Sequence, residues 1–333
     1  MILPVKTASG GYDIALARGA LSHLGDYLPH AGRALIVTDD GVPAEYAHAA
    51  AAVCENSAIV TLPQGEATKN LDSHRMLLAR MLELGFTRAD RVIAVGGGVM
   101  GDLAGFAAAV YMRGIDFYNL PTTLLSQVDS SIGGKVAVDM QGVKNVVGAF
   151  YPPKKVIIDP DALNTLPSRQ IAAGLAESIK MAATSNAGLF ALIEQSDNLN
   201  RDLDAILEGS LKIKRDVVEQ DPTEKGLRKV LNFGHTIGHA IESAMDGRWL
   251  HGECFAAGML PMCAPAARER LERVLQKYSL PTHADVPADR LIAYMQHDKK
   301  AVDGGVTAVC VNEIGSFFFR KMTCSELAER MRA

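Results

Sequence analysis

Short β-branched runs alternate with helical segments through the first half of this 333-residue chain, and this alternation limits the fold more than any other feature. The runs lie at residues 33–40, 57–63 and 91–98, and each ends in a polar or glycine-rich turn. The segments between them, such as 71–85, carry apolar residues at helical spacing. The pattern predicts a mainly parallel sheet covered by helices, with ligands collecting at the carboxyl ends of its strands.

The second half of the chain has a different pattern. Strand signals become rare after residue 160, and long amphipathic helices follow, for example at 168–185 and 204–221. One late β-like piece remains at 306–319, and the prolines of segment 150–167 make that segment the predicted linker. We therefore expect an α/β nucleotide-binding domain over 1–160, followed by a mainly α-helical domain over 161–333.

Composition excludes several classes of function. Lys and Arg total 34 against 38 for Asp and Glu, which argues against broad electrostatic binding to nucleic acid or anionic membrane. The five cysteines are scattered and never form CxxC, so neither a disulfide framework nor a thiolate zinc site is predicted. No basic segment precedes a long apolar run at the N-terminus, and no window approaches the roughly 20 apolar residues of a membrane span. We expect a cytoplasmic protein.

Residues 92–111 are predicted to form a strand, a glycine turn and a helix. Three consecutive glycines, Gly96 to Gly98, let backbone N–H groups approach a phosphate at the positive end of the following helix. Asp102 is predicted to lie in the first turn of that helix. The spacing is GGGxxGD and not GxGxxG, so a tight turn that only packs the helix closely is the alternative to a nucleotide site.

Three basic residues follow in a polar, glycine-rich region. Arg113, Lys135 and Lys144 lie within residues 113–145. Each alone is typical of a solvated surface charge. Together, and directly after a nucleotide turn, they favour a site for a phosphorylated substrate, because Arg and Lys supply the charge-assisted donors that phosphate oxygens need.

Histidines and one carboxylate suggest a metal site. His235 and His239 are four residues apart in a predicted helix, a geometry able to grip a divalent metal, and His251 follows closely. Glu177 and Lys180 are three apart beside small apolar residues, where a carboxylate needs a metal or the lysine as its partner. A structural histidine and a surface ion pair are the simpler alternatives. Two histidines and one carboxylate leave open positions on zinc, as a catalytic site requires.

The chain resembles the 3-dehydroquinate synthases, a family of the sugar-phosphate cyclases, over nearly its whole length. The motifs that carry the resemblance occur in family order: PQGEATK (63–69), GGGVMGDLAGFAAA (96–109), RGIDF (113–117), PTTLLSQVDSSIGGK (121–135), KNVVGAFYPP (144–153), LPSRQIAAGLAESIK (166–180), GLRKVLNFGHTIGHAIE (226–242) and HGE (251–253). The fold that the resemblance implies is a Rossmann-like NAD-binding domain followed by a helical metal- and substrate-binding domain.

The resemblance also implies which residues serve the site. It assigns the metal, Zn²⁺ or Co²⁺, to Glu177, His235 and His251, and gives His239 a role in proton transfer, so that the two histidines of one helical turn are not both ligands. The NAD-binding residues it implies are Asp39, Glu66, Lys69, Gly98, Val99, Gly101, Asp102, Thr122, Thr123, Lys135, Lys144 and Thr165. The residues it implies for substrate binding and catalysis are Arg113, Asp129, Lys135, Asn145, Lys180, Lys214, Arg228, Asn232 and one of Lys299 and Lys300. Arg113 is expected to reach across the interface of a homodimer.

The sequence departs from the family pattern at three places. Val143 precedes the lysine of KN, where the family usually has glycine, and Gly142 lies one step earlier. The segment between HGE and residue 275 is shorter than usual. CFAAGM, residues 254–259, replaces the commoner Ala-Val beginning. None of these changes removes an expected ligand, but the last alters the packing expected around the metal.

The implied activity belongs to the shikimate pathway of aromatic amino acid biosynthesis. The substrate, 3-deoxy-D-arabino-heptulosonate 7-phosphate, is transiently oxidised at C5 by NAD, loses phosphate, is reduced again and closes by an intramolecular aldol reaction to 3-dehydroquinate. A sibling cyclase acting on another sugar phosphate is one alternative. A metal-dependent polyol dehydrogenase is the second, although it has no need for so many phosphate-binding cations. A non-catalytic nucleotide-binding module is the third.

Overall fold

The structure is a computed structural model that describes residues 1–7, 10–297 and 305–331. The chain divides into two compact units, Met1–Leu166 and Pro167–Ala333. None of the described helices is long and apolar enough to cross a membrane.

A seven-stranded sheet in the order β1-β2-β9-β6-β5-β3-β4 forms the centre of the first unit. Its strands are β1 (Ile2–Thr7), β2 (Gly10–Leu16), β3 (Arg33–Asp39), β4 (Asn56–Leu62), β5 (Arg91–Gly96), β6 (Asp116–Pro121) and β9 (Lys155–Ile158). All neighbouring strands are parallel except β1 and β2, which form an antiparallel pair at one edge. The predicted parallel sheet is therefore confirmed, and the three predicted strands become β3, β4 and β5.

Alternating residues of the central strands supply two apolar cores, one on each face of the sheet. On β3, Leu35 and Val37 pack into one core with helices α2 (Leu71–Glu83) and α3 (Gly98–Val110). Ala34 and Ile36 enter the other core, which α1 (Ala44–Ala52) covers. Both sets of strand residues are fully buried. Because each buried Val, Leu or Ile contributes about 1.5–3 kcal/mol, this two-sided burial explains the continuous apolar runs seen in the sequence.

The boundary between the two units, Leu166 to Pro167, falls at the end of the predicted linker 150–167, but most of that segment is not a linker, because it contains the inner strand β9. Val156, Ile157 and Ile158 are fully buried, and β9 pairs with β2 on one side and β6 on the other. The four prolines of the segment lie outside the strand, Pro152 and Pro153 before it and Pro160 and Pro167 after it, and therefore interrupt no ladder hydrogen bond.

Between β6 and β9, the chain forms a β-hairpin of β7 (Lys135–Met140) and β8 (Val143–Phe150). Gln141 and Gly142 connect the strands, both with positive φ (51° and 77°), as a two-residue primed turn requires. Gly142 thus serves the turn, and Val143 begins β8. A register irregularity follows, and Asn145 takes a left-handed conformation there (φ 52°).

The second unit is mainly helical, as predicted. Its described helices are α4 (Ser168–Ser185), α5 (Ala187–Gln195), α6 (Leu199–Gln220), α7 (His235–Met245), α8 (His251–Met259), α9 (Pro265–Lys277), α10 (Ala288–His297) and α11 (Cys324–Arg330). The late β-like piece forms the antiparallel pair β10 (Val306–Cys310) and β11 (Phe318–Met322). The fold class, a mainly parallel α/β unit followed by a helical unit, is confirmed.

Helices α7 and α8 approach closely because glycines lie between them. A Cβ added at Gly258 would overlap the carbonyl oxygen of Gly234 and come 2.8 Å from the Gly238 nitrogen. A Cβ added at Gly238 would overlap the ring of Phe255. Only glycine permits this backbone approach, which places the first residues of both helices, His235 and His251, close together.

Candidate metal centre and nucleotide turn

Glu177, His235 and His251 form a group able to hold a metal. One donor atom from each of the three residues lies within 4.8 Å of the others. Glu177 lies in the middle of α4, whereas His235 and His251 are the first residues of α7 and α8. Two imidazoles and one carboxylate suit zinc or cobalt and leave further coordination positions open.

The surroundings of Glu177 fit a cation. Its side chain is only 1% exposed. Lys180, three residues later on the same helix and equally buried, forms an ion pair with Oε2 of Glu177. Beyond this ion pair, neither carboxylate oxygen has a hydrogen-bond donor among the described residues. Because burying an ionised carboxylate is costly without several partners, a carboxylate paired only with one lysine is well suited to bind a divalent metal as well.

Nδ1 of each imidazole in this group has an acceptor nearby. Nδ1 of His251 lies 3.4 Å from Oε1 of Glu242, and Nδ1 of His235 lies 3.3 Å from the carbonyl oxygen of Phe233. A proton on each Nδ1 would leave Nε2 unprotonated and able to bind a metal, which is the usual arrangement of metal-bound histidines. Both distances are long for hydrogen bonds.

An ion pair fastens the first turn of α8 to the first turn of α4. Nε and Nη2 of Arg169 each donate to a carboxylate oxygen of Glu253 at 2.7 Å, and Oε2 of Glu253 also accepts the N–H of Leu250 at 2.7 Å. Burial raises the pKa of Glu253, but the donors from Arg169 and Leu250 outweigh it, and the net shift is downward. The pair thus fixes the segment from which His251 extends.

His239 lies one turn along α7 and is not a member of the three-residue group. Its ring is edge-on to that of His235, with centroids 5.5 Å apart. The simple spacing argument, which makes His235 and His239 joint ligands, is thus not supported by the geometry. The histidine that joins His235 and Glu177 is the more distant His251.

Other predicted residues of the helical unit lie on α4, α6 and a short helical turn, Leu227–Asn232, before α7. Arg228 is buried, and its Nη1 donates to the carbonyl oxygen of Pro222 at 2.6 Å. The amide of Asn232 donates to Oε1 of Glu224 at 2.5 Å. Lys214 is buried on α6. Lys299 and Lys300 lie outside the described residues.

In the first unit, the glycine turn joins β5 to α3 as predicted. Gly97 precedes the helix and offers no side chain to cap it, so within the described chain the first-turn N–H groups remain available to an anion. A Cβ on Gly98 would lie 3.0 Å from Oγ of Ser130, and one on Gly101 would lie 3.0 Å from Nδ2 of Asn119. The glycines of the turn are therefore also needed for close packing. Val99 follows Gly98 in the first turn of the helix, whereas Asp102, predicted in that turn, lies just after it, because the helix begins at Gly98.

Charged side chains surround the start of α3. Nζ of Lys69 lies 2.6 Å from Oδ2 of Asp102 and 3.8 Å from Oε1 of Glu66, and it donates to Oδ1 of Asn145 at 2.5 Å. Burial raises the pKa of Asp102 to about 6, although Lys69 acts to lower it. Burial lowers the pKa of Lys69, but Asp102 and Glu66 outweigh it and the net shift is upward. Oδ1 of Asp139 accepts the N–H of Asn145 at 2.7 Å and so holds the left-handed residue in place.

The remaining predicted cofactor residues lie at strand ends or in turns. Asp39 ends β3, where burial raises its pKa although the Gly41 N–H donates to it. Thr122 follows β6 and donates its N–H to the carbonyl oxygen of Gly96 at 2.9 Å, with Thr123 next in the chain. The hydroxyl of Thr165 donates to the carbonyl oxygen of Ala162 at 3.2 Å. Lys144 is exposed on β8.

A small cavity beside α3 contains further predicted residues. Asp102 and Lys135 line it together with Asn119 and Ser130, and neither Oδ1 of Asn119 nor Oγ of Ser130 has a hydrogen-bond partner among the described residues. Asp129 belongs to the turn Ser126–Ser130 beside this cavity. Arg113 is exposed at the end of another turn, where it and Met112 both have positive φ, 68° and 49°.

Four functional candidates of the helical unit were not predicted from the sequence: Arg169, Glu242, Glu253 and Phe255. Glu253 had a local signal, because an acidic residue in the first turn of a helix commonly accepts backbone N–H groups. Phe255 follows His251 by one helical turn, which places both on one face of α8. Arg169 and Glu242 act through contacts between separate helices, which no local pattern reveals.

The fold and the Glu-His-His group define the class, a sugar-phosphate cyclase of the dehydroquinate synthase type. A similar solved structure is 2-deoxy-scyllo-inosose synthase in complex with carbaglucose-6-phosphate, NAD⁺ and Co²⁺, with TM-score 0.89, 25% identity and coverage of 100% of this chain and 99% of that one. Another is 2-epi-5-epi-valiolone synthase from Streptomyces hygroscopicus with NAD⁺ and Zn²⁺ bound, with TM-score 0.86, 27% identity and 96% coverage of both chains.

The sequence comparisons identify the family within this class. Residues 59–173 match the model described as 3-dehydroquinate synthase N-terminal, and residues 174–301 match the one described as 3-dehydroquinate synthase C-terminal. The 3-dehydroquinate synthase of Symbiobacterium thermophilum is 43% identical over 318 residues, covering 88% of this chain and 89% of that protein. The chain belongs to the 3-dehydroquinate synthase family.

Proposed function

We propose that the protein converts 3-deoxy-D-arabino-heptulosonate 7-phosphate to 3-dehydroquinate and inorganic phosphate. The observation that carries this proposal is the 43% identity to a 3-dehydroquinate synthase over nearly nine-tenths of the chain. The two other cyclases are only 25% and 27% identical. The converging Glu177, His235 and His251 support the proposal, because a non-catalytic nucleotide-binding module has no need of a metal group with open positions.

The cofactors we propose are NAD and a divalent metal, Zn²⁺ or Co²⁺. Glu177, His235 and His251 would hold the metal, which when bound lowers the pKa of a substrate hydroxyl and polarises a substrate carbonyl. The start of α3, with Gly98, Gly101 and Asp102, would face the phosphates of NAD. NAD, when bound, would accept a hydride in the transient oxidation of a substrate alcohol. The proposed NAD site also includes Asp39, Glu66, Lys69, Thr122, Thr123, Lys144 and Thr165.

The roles proposed for the basic residues follow from charge and burial. Arg228, Lys214 and Lys180 are all buried, and a buried cation binds an anionic substrate group more strongly than an exposed one, since less water screens it. They would hold the carboxylate, hydroxyls and phosphate of the substrate, with Asn232 as a further donor. Lys180 also compensates the charge of Glu177. In the first unit, Asp129, Lys135 and Asn145 are proposed to bind substrate.

His239 is proposed to move a proton during the reaction. It stands beside His235 without belonging to the metal group. An imidazole can both accept and donate a proton, which suits a step that removes a proton from carbon before phosphate leaves.

We further propose that the protein is a cytoplasmic homodimer to which Arg113 contributes across the interface. The proposal is supported by the exposed position of Arg113 at the end of a strained turn. Left-handed non-glycine residues persist only where other contacts hold them or where they serve a function. Analytical ultracentrifugation of wild type and Arg113→Ala tests this: the wild type should sediment as a dimer, and a monomeric, fully active wild type would contradict it.

Substrate identity is tested with a panel. The metal-loaded protein with NAD is offered the heptulosonate phosphate or a hexose 6-phosphate, the latter suggested by the carbaglucose-6-phosphate bound to 2-deoxy-scyllo-inosose synthase. We expect phosphate release and 3-dehydroquinate from the first compound alone. Cyclisation of the hexose phosphate in its place would favour a sibling cyclase, and NADH accumulating in step with product would favour a polyol dehydrogenase.

A further inference from the structure

A single aromatic ring contacts all three histidines of the metal region. Phe255 lies on α8, four residues after His251, and is 1% exposed. Its ring is stacked on that of His235, with centroids 4.1 Å apart and planes at 10°. It stands edge-on to His251 at 3.9 Å and to His239 at 5.2 Å.

These contacts restrict a torsion that is otherwise loosely determined. The χ2 angle of a histidine has broad, shallow preferences, so the direction of Nε2 depends on what packs against the ring. The Nδ1 contacts of His235 and His251 are 3.3 Å and 3.4 Å long, so these two contacts by themselves orient the rings weakly. The flat face of Phe255 against His235 and its edge contact with His251 supply a further constraint.

The neighbouring helix accommodates this ring through a glycine. The three heavy atoms nearest to a Cβ built on Gly238 are all ring atoms of Phe255. The ring thus fills the space that the missing side chain leaves on α7, between His235 and His239. A smaller residue at 255, such as the valine of the commoner Ala-Val beginning, would leave this space without packing atoms.

We propose that Phe255 is a positioning residue for the metal centre, which holds the imidazoles of His235 and His251 in the orientation that the metal requires. The proposal rests on the metal site of the proposed function. Phe255 itself donates no ligand, and it acts by reducing the freedom that the two rings lose when the metal binds. Since outer-shell contacts of metal ligands typically alter metal affinity by about 10- to 100-fold, a loss of that order is expected when the ring is removed.

The test compares two phenylalanine-to-leucine variants in Co²⁺ titrations of the full-length protein. Phe255→Leu removes the ring, whereas Phe190→Leu removes an equally buried ring on α5 that lies against Arg270 and serves as the matched control. We expect Phe255→Leu to weaken Co²⁺ binding about 10- to 100-fold and to change the Co²⁺ absorption bands, which report ligand geometry. Phe190→Leu should keep both the affinity and the bands of the wild type, even if its melting temperature falls.

Gly238 provides a second variant that keeps the proposal testable if Phe255→Leu folds poorly. Gly238→Ala alone should displace the ring of Phe255 and weaken Co²⁺ binding. Gly238→Ala combined with Phe255→Val should fold better than Gly238→Ala, because the smaller side chain at 255 leaves room for the methyl group of the alanine. Unchanged affinity and bands in both Phe255→Leu and Gly238→Ala would overturn the positioning role. Absence of Co²⁺ binding in the wild type would instead contradict the metal site itself, and so the two failures are distinguishable.

Discussion

Replacing Glu177 by glutamine tests the metal centre and its buried ion pair together. The substitution preserves the shape of the side chain but removes its charge, and it leaves Lys180 buried without the carboxylate of its ion pair. Breaking a buried ion pair by removing one partner costs about 3–5 kcal/mol. Both side chains are at most 2% exposed, so solvent screening reduces this cost little.

A second, separate loss concerns stabilisation by metal. A metal that binds only the folded state at a free concentration 100 times its Kd stabilises the protein by about 2.7 kcal/mol. The wild type should gain this amount on addition of Zn²⁺ or Co²⁺, whereas Glu177→Gln should gain almost nothing, because a three-residue site has no spare donor.

The assay is denaturant unfolding of metal-free and metal-loaded protein, with metal content measured on the same samples. Lys180→Met combined with Glu177→Gln is the control, because it removes both charges and should recover much of the metal-free stability without recovering metal binding. Full metal occupancy in Glu177→Gln would remove Glu177 from the ligand set. Unchanged metal-free stability would show that the pair with Lys180 contributes nothing.

Three further predictions concern other parts of the molecule. His239→Asn should retain metal while turnover falls by roughly 10² to 10⁴, whereas His251→Asn should lose metal. Metal analysis and single-turnover rates are measured on both variants. Loss of metal in His239→Asn with full metal content in His251→Asn would contradict the assignment of His251, and not His239, as a ligand. Glu253→Gln should weaken metal binding and destabilise the protein by about 1–3 kcal/mol, because it removes the carboxylate that accepts both hydrogen bonds from Arg169. Arg201→Gln, at an exposed ion pair, is the control and should leave metal binding unchanged. Calorimetry measures metal binding in both variants. Because the folded-state pKa of Asp102 is raised from 3.8 to about 6, its contribution to stability is fully present below 3.8 and is lost as pH rises through 6. Melting temperatures should therefore fall more between pH 5 and 7 in the wild type than in Asp102→Asn, and parallel curves would refute this linkage.

The parallel sheet and the long helices were predictable because their signals are local. The buried runs of β3 and β5, and the amphipathic spacing of α4 and α6, appear within single windows of sequence. β9 was missed because its four residues closely follow two prolines and begin with a lysine, so that only its tertiary position shows it to be a strand. The β7–β8 hairpin was missed because its turn, Gln141-Gly142, is not among the strongest turn pairs.

The metal group shows where local reasoning ends. Spacing alone pairs His235 with His239, since both lie on one face of one helix. The geometry instead joins residues from the middle of α4 and the beginnings of α7 and α8, which the glycine-mediated contact of α7 with α8 brings together. The motif resemblance supplied His251, but the contacts of Phe255 and Glu242 with the histidines depend on helix packing that no sequence window encodes.

We propose that NAD is regenerated in each turnover and that phosphate is eliminated before the ring closes. The most direct test of this proposal measures 3-dehydroquinate, inorganic phosphate and nicotinamide absorbance together, with the heptulosonate phosphate in large excess over NAD. We predict equal amounts of dehydroquinate and phosphate, many product molecules for each NAD, and no net NADH. Product limited to the amount of NAD supplied, or NADH accumulating without phosphate release, would contradict it.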